Sequence, residues 1–443
     1  MIKSDFSLLR LADILDDLID DRVGILREVH EVEREAGSPN FFHFMAQAGN
    51  TGAFTREKNF STTGGASSVR DLAVAKAVGE AVERYCTAIY DLEELPLVPY
   101  AEASFPCVDP ADFALYSAEQ YRQPGFPWVP FEPATPVRWT PALDLATSQV
   151  CYVPAAMVYM PYQYYQGTGD APIVQPISTG MACHCSPAEA AISAVCEVIE
   201  RDAFLLTWQA GLAMPQIRVE TLDDANYDRV ARFEAICRSV VLLNITMDAG
   251  VPTILAVSRG HSAKEPALVF AAAADLNPEQ AVRKSLEELV HTWRYSQQLA
   301  VKSARLVDDP EFENVVDQVD HLNFWCDPAH NSQAEFIFKS DKRIDFDEMK
   351  NLSTGDPRQD LKLLVDKVQA VNHRVLVVDL TTPDVKQLGL HVCRAIIPGF
   401  QPLFMSYKLR ALGGSRLWEI PQKLGYKGVS RQTGDNPYPH PYP

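Results

Sequence analysis

The stretch Ala194-Val195-Cys196-Glu197-Val198-Ile199-Glu200-Arg201-Asp202 decides how the chain reads, because Ala77-Val78-Gly79-Glu80-Ala81-Val82-Glu83-Arg84-Tyr85 nearly repeats it. Both copies have the form A-V-x-E-x-(V/I)-E-R and lie in runs of helical apolar spacing. In a helix, residues three and four apart share a face, so each copy presents two carboxylates in consecutive turns. An arginine follows four residues after the first of them. Two such helices facing one another bring four carboxylates and two guanidinium groups together. Carboxylates that crowded repel unless divalent cations or basic groups neutralise them. Hard oxygen ligands suit magnesium, which also takes oxygens from a nucleotide phosphate. The repeat therefore reads as a metal–nucleotide site. The rival reading is a solvated face with weak side-chain pairs. It is weakened because the acidic triplets interrupt apolar runs, Leu72 to Ile89 and Ala190 to Trp208, and buried carboxylates need partners.

The composition sets limits around that site. At 443 residues the chain has room for several packing units or for one large mixed domain. With 47% hydrophobic and 22% charged residues it resembles an ordinary soluble globular enzyme. Its 58 acidic against 40 basic residues, formally −18, argue against nucleic acid or an anionic membrane as partner. No apolar run reaches the length of a membrane span, and Met1-Ile2-Lys3-Ser4-Asp5 lacks the layout of a signal peptide. Nine cysteines in scattered apolar contexts point to free thiols in a reducing compartment, with the cytoplasm as the expected location.

Upstream of the first copy, residues 5 to 35 carry helical spacing (Leu8, Leu11, Ile14, Leu15, Leu18, Ile19), which predicts an amphipathic helix or helix pair. It would cap the main body or dock a partner. Ser61-Thr62-Thr63-Gly64-Gly65-Ala66-Ser67-Ser68 runs straight into the first acidic helix and reads as a small polar loop able to approach an anion. It lacks a Walker ending. Residues 91 to 175 predict irregular structure with short strands. Ser186 is a candidate N-cap, followed by Pro187 and, three residues after the cap, Glu189. The cluster Cys183-His184-Cys185 has the wrong spacing for a zinc-chelating pair. Three apolar runs between 236 and 275 read as neighbouring strands. A helix from Pro278 to Gln298 carries Arg283, Glu287 and His291 at steps of four, either a salt-bridged row or an arginine for phosphate with a third acidic ligand. Residues 306 to 360 look acidic and irregular, a lid or insertion at best. A helix over 361–370, strands over 375–381 and 391–397, and a basic stretch with Lys408, Arg410 and Arg416 follow. The chain closes on Asn436-Pro437-Tyr438-Pro439-His440-Pro441-Tyr442-Pro443, whose alternating prolines force an extended rod.

Taken together, Glu80-Ala81-Val82-Glu83-Arg84, Ser186-Pro187-Ala188-Glu189-Ala190 with Glu197-Val198-Ile199-Glu200-Arg201-Asp202, Arg283-x-x-x-Glu287 and Pro398-Gly399-Phe400 resemble the YcaO superfamily over roughly residues 60 to 443. The resemblance implies an α+β fold of mixed sheets packed with helices and a YcaO catalytic domain over 61–443, and the helical spacing ahead of it reads as an N-terminal helical extension over 1–60. The resemblance further implies ATP and Mg2+ as cofactors. Glu80, Glu83, Glu197 and Glu200 become metal ligands, and Arg84, Arg201, Arg283, Glu287, Ser67 and Ser68 further nucleotide contacts. The proline tail resembles that of stand-alone azoline-forming cyclodehydratases, heterocyclases of ribosomal peptide natural products that include antibiotics and bacteriocins. Ala77 stands where the family's first motif usually has serine, and His184 where glycine is common. The third motif fits in two registers, on Glu287 with Val290, or on Lys284 and Glu288 with His291.

The implied reaction converts Cys, Ser or Thr of a precursor peptide to thiazoline or oxazoline by phosphorylating the backbone amide oxygen. The terminal carboxylate of Pro443, or else His440, is the candidate base. The resemblance also implies partners: a leader-binding protein like a ubiquitin-activating enzyme, and a flavin dehydrogenase in the same oligomeric complex. The alternatives are a YcaO thioamide- or amidine-forming enzyme and a catalytically silent scaffold.

Overall fold

A computed structural model describes residues 10, 11, 14–35, 37–262, 265–307 and 309–442. Strands β1 (Leu26–Glu31), β2 (Phe42–Ala48) and β3 (Thr62–Ser67) form an antiparallel sheet in that order. β3 runs into helix α1 (Arg70–Thr87). Next come β4 (Leu97–Pro99), β5 (Pro136–Asp144), β6 (Gln149–Pro154) and β7 (Met181–His184), then helix α2 (Pro187–Gln209). β8 (Gln216–Ile217) and α3 (Asp224–Glu234) precede β9 (Ser239–Asn244), β10 (Thr253–Arg259) and β11 (Leu268–Ala274). Helices α4 (Pro278–Lys302) and α5 (Gln318–Cys326), strand β12 (Arg343–Ile344) and helix α6 (Pro357–Ala370) follow. Last are β13 (Leu376–Asp379), β14 (His391–Ile396) and α7 (Arg416–Lys423).

The second sheet runs β4-β5-β13-β14-β7, with β6 also paired to β5, and leaves β7 at an edge. The third runs β11-β10-β9-β8-β12. Its alternation is that of strands buried on both faces: Leu255, Val257, Phe270 and Ala272 meet Phe204 and Trp208 of α2, while Ile254, Ala256, Val269 and Ala271 meet Leu286 and Leu289 of α4. Helix α1 lies between the first two sheets, with Val74, Val78 and Val82 in one core with Phe44 of β2 and Val392 of β14. Helix α2 packs Ala194, Val195 and Val198 against Ala182, Ala395 and Leu364, on the other face of the second sheet. The two acidic repeats therefore approach one sheet edge from opposite sides. The mixed α+β architecture, the three strands between 236 and 275 and the Ser186 cap, which accepts from the Glu189 amide with Pro187 at the first turn, agree with the sequence reading.

Four expectations are corrected. Among the described residues of 5 to 35, helix is found at Arg10 and Leu11 and over Leu15–Leu18, while Leu26–Glu31 is a strand, so the helical reading does not extend through the segment; Leu8 lies outside the described residues. The cause is Gly24, where a side chain would stand 2.3 Å from the Asp20 nitrogen and block the turn that reverses the chain. β2 and β3 pair across residue 60, so the segment before it supplies sheet, not a helical extension. The glycine-rich loop is mostly β3: a Cβ on Gly65 would sit 2.4 Å from the Ala73 carbonyl, so its glycines serve close packing against α1. Residues 306 to 360 are no lid, since α5 and the helical turns of Pro328–Phe338 wall the core around Trp208.

Candidate nucleotide and metal site

Strand β7 organises the carboxylates. As an edge strand it leaves backbone N–H groups unpaired, and the acidic helices accept them. Glu83 takes the Cys183 amide at 2.8 Å, and Glu197 takes the Gly180 amide at 3.1 Å. Gly180 has φ +84°, and a Cβ there would lie 2.4 Å from the Ala395 carbonyl, so only glycine lets β7 enter this close to β14. Glu200 accepts the Ala274 amide at the end of β11, at 3.2 Å. Burial, then the charges of Glu80 and Glu197, push the Glu83 carboxyl well above the usual carboxylate range. Burial likewise raises Glu200 to about 7, against the pull of the Arg201 guanidinium and the Tyr442 hydroxyl.

The arginines are divided. Arg84 pairs with Glu80 at 3.1 Å and Arg201 with Glu197 at 3.2 Å, each one helical turn away. Arg201 also lies over the Tyr442 ring, 4.3 Å from its centroid. Its buried Nε and Nη1 make no hydrogen bond to any described residue. Arg394 of β14 is buried on the same side as α1, its Nη1 donating to the Val158 carbonyl. Burial lowers its pKa to about 9, with Glu197 opposing.

The remaining nucleotide candidates lie beside this cluster. Ser67 donates to Glu287 at 2.7 Å, and Ser68 accepts from Arg229 at 3.1 Å. Glu287 is wholly buried against Lys76 at 2.9 Å, with Arg283 close enough to help hold its carboxyl low despite burial. Glu288 is the residue of the third motif that faces Glu200, whose pKa its charge helps raise. Both registers place an acidic side chain beside Lys76, Glu287 at 2.9 Å and Glu288 at 3.3 Å. His291 packs under Gly64, where a Cβ would stand 2.4 Å from its ring.

The C-terminal rod docks along the second acidic helix. Tyr407, Trp208, Trp325 and His321 donate in turn to the carbonyls of Pro437, Tyr438, Pro439 and His440, at 2.7, 3.1, 3.0 and 2.8 Å. The rod ends by pressing Tyr442 against Phe204, its hydroxyl donating to Glu200. Pro443, a candidate base, lies outside the described residues. His440 as a base is corrected: its Nε2 donates to the Phe404 carbonyl and its Nδ1 accepts the Tyr442 amide, so neither nitrogen is available. Burial also drives its pKa well below the usual value. Sequence reasoning missed Tyr442, Lys76 and Arg394, and held Glu288 as one of two registers. It also missed that Asp202, the last residue of the repeat, clasps Arg416 at 2.6 and 2.8 Å and fixes α2 to α7. An acidic residue inside so apolar a run was the signal for that partner.

The donor set fits a magnesium–polyphosphate. Mutually repelling buried carboxylates ask for cations, and Arg201, which faces Glu197 at 3.2 Å and Glu200 at 3.8 Å, keeps buried N–H groups without a hydrogen bond among the described residues. Among the described residues no three His, Cys, Asp or Glu converge on a cage of their own. Magnesium held by one or two carboxylates with phosphate oxygens needs none.

Comparison with known proteins agrees. An uncharacterized protein of Methanothermobacter thermautotrophicus is 27% identical over 270 residues, 60% of this chain and 66% of that one. A solved heterocyclase in complex with substrate and cofactor superposes with TM-score 0.81 at 20% identity, covering 98% of this chain. This chain spans only 57% of that heterocyclase. The YcaO from Methanopyrus kandleri bound with AMPPCP and Mg2+ gives TM-score 0.66 at 18% identity, covering 95% of this chain and 96% of that one. These likenesses establish a shared fold. A family model described as YcaO cyclodehydratase, ATP- and Mg2+-binding, matches residues 64–401, and the chain belongs to the YcaO family.

Proposed function

We propose that the protein is an ATP-dependent cyclodehydratase that forms thiazolines or oxazolines from Cys, Ser or Thr in a ribosomally made precursor peptide. The observation that carries the reading is the convergence of both acidic repeats on the β7 edge, three of their carboxylates pinned by backbone amides. The chemical task is to attack an amide carbonyl muted by resonance and then to expel its oxygen. The side-chain sulfur or oxygen adds to the preceding carbonyl carbon and loses its proton. The adduct's oxygen takes the γ-phosphoryl group of ATP and leaves as phosphate, while the amide nitrogen loses its proton to form the C=N bond. The peptide is lighter by one water for each ring. In this reading Glu80, Glu83, Glu197 and Glu200 would hold magnesium, which would supply neutralisation of the charge that phosphoryl transfer develops. Arg84 and Arg201 face the phosphates, Ser67 and Ser68 edge the nucleotide, and the anchored tail fixes Glu200 and Arg201. A separate leader-binding protein delivers the precursor.

Mass spectrometry of a cognate precursor incubated with this protein, the leader-binding partner, ATP and magnesium tests the reading. Losses of about 18 Da per modified residue that vanish with Glu200→Gln support it. Retention of full mass, or exchange of an amide oxygen for sulfur, overturns it.

A further inference from the structure

Beside the acidic site stands a second charged cluster, in which one lysine is shared between a buried carboxylate and an exposed one. Glu287 of α4 is wholly buried, and three cations surround it. Lys76 Nζ lies 2.9 Å from one carboxylate oxygen and Arg229 Nε 3.9 Å from the other, while Arg283 adds its charge from the preceding turn. Ser67 donates to the same carboxylate at 2.7 Å. A buried carboxylate holds its counter-charge firmly, whereas an exposed partner of the same cation is bound weakly and can be exchanged for another anion. Lys76 is the cation of the three with a path to the acidic site. Its ammonium also reaches Glu288, at 3.3 Å, and the charge of Glu288 is felt at Glu200. On α1, Lys76, Glu80 and Glu83 fall at i, i+4 and i+7 and share one face. The Lys76 side chain is 19% exposed where Glu287 is 0%, so the ammonium sits at the boundary between buried cluster and open site.

We infer that Lys76 binds the polyphosphate chain of the nucleotide, with Glu287, Ser67 and Arg229 as its positioning support. The inference rests on the nucleotide reading above and extends it. The polyphosphate would lie between two fields: carboxylates and their magnesium on one side, Lys76 and the basic cluster on the other. Half-exposed Glu288 holds the ammonium in the meantime and is readily released to water.

The test is equilibrium binding of ATP and of adenosine, each with magnesium, to the wild-type chain and to Lys76→Met. The Glu287 pocket keeps Ser67, Arg229 and Arg283 in this variant. A melting curve checks that it folds, and Lys76→Gln takes its place if it does not. The expected result is an ATP affinity weaker by about tenfold or more. Adenosine affinity should stay unchanged, and Lys76→Arg should recover most of the ATP affinity. ATP affinity within about twofold of wild type overturns the proposal, provided that Glu200→Gln abolishes binding, which shows that the nucleotide reading stands. Equal weakening of ATP and adenosine with a lowered melting temperature also overturns it, in favour of a counter-ion for Glu287 alone. Failure of the wild-type chain to bind ATP would sink the nucleotide reading itself.

Discussion

The two acidic repeats are nearly identical in sequence and unequal in setting. In α1, Glu83, the counterpart of Glu200, is held by the Cys183 amide, while Glu80 is 36% exposed at its side chain and Arg84 leans on the Met160 sulfur. In α2, Glu200 is clasped by the Ala274 amide and the Tyr442 hydroxyl, and Arg201 lies over the Tyr442 ring. The first copy is supported by a sheet it packs upon, the second by the end of the chain, which arrives 242 residues later. A motif therefore fixes which groups are present, while the neighbours decide how firmly each is held. The second copy should carry the greater share of activity and should be the one that the tail controls.

Breaking the carboxylates has the largest expected effect. Glu200→Gln should lower phosphate release, measured with precursor and partner, by roughly 10³-fold, and Glu83→Gln, its counterpart in the first copy, by about tenfold. Equal losses would show that the two copies are equivalent despite their settings. Breaking the tail comes next. Tyr442→Ala removes a buried ring and should cost about 3–5 kcal/mol of stability. Tyr442→Phe, which keeps the ring beneath Arg201, should leave stability within about 1.5 kcal/mol and reduce turnover about tenfold.

Acidification sharpens the comparison further. Burial lowers the pKa of His321 from its ordinary value to about 4 and that of His440 well below it, with the neighbouring His321 and Arg201 charges adding to the effect on His440. A base depressed in the folded state contributes stability above its unfolded pKa and loses it as pH falls toward the folded value. The tail should therefore loosen between pH about 6.5 and about 4. The change should be visible as altered emission of Trp208 and Trp325, and His321→Asn should flatten it. The smallest effect belongs to Arg84→Met. Its pairing with half-exposed Glu80 should contribute no more than about 1 kcal/mol to thermal stability.

Much of this was legible in the sequence. The repeat could be read because a helix converts spacing into a shared face, and the three consecutive strands because β-branched runs between turn signals leave little choice. The α2 cap was equally local, set by Ser186 and Pro187. What stayed hidden was decided at long range. β1 carries helical-looking leucines just before it, and the reversal at Gly24 overrides them. The glycines at 64 and 65 look like an anion loop, yet each is required by a neighbour distant in sequence, His291 beneath one and α1 beneath the other. Glu287 and Glu288 cannot be told apart by motif, because only packing decides which is buried on Lys76 and which faces Glu200. His440 looked like a base from its place in the tail; the Phe404 carbonyl and the Tyr442 amide occupy both its nitrogens.

The central claim is that both repeats build one magnesium–nucleotide site. Calorimetric titration of ATP with and without magnesium, on wild type, Glu83→Gln and Glu197→Gln, tests it most directly because the two changed residues sit on different helices. The account predicts magnesium-dependent binding in wild type that each variant alone weakens by at least about tenfold. Binding that ignores magnesium, or that survives in either variant, would contradict it.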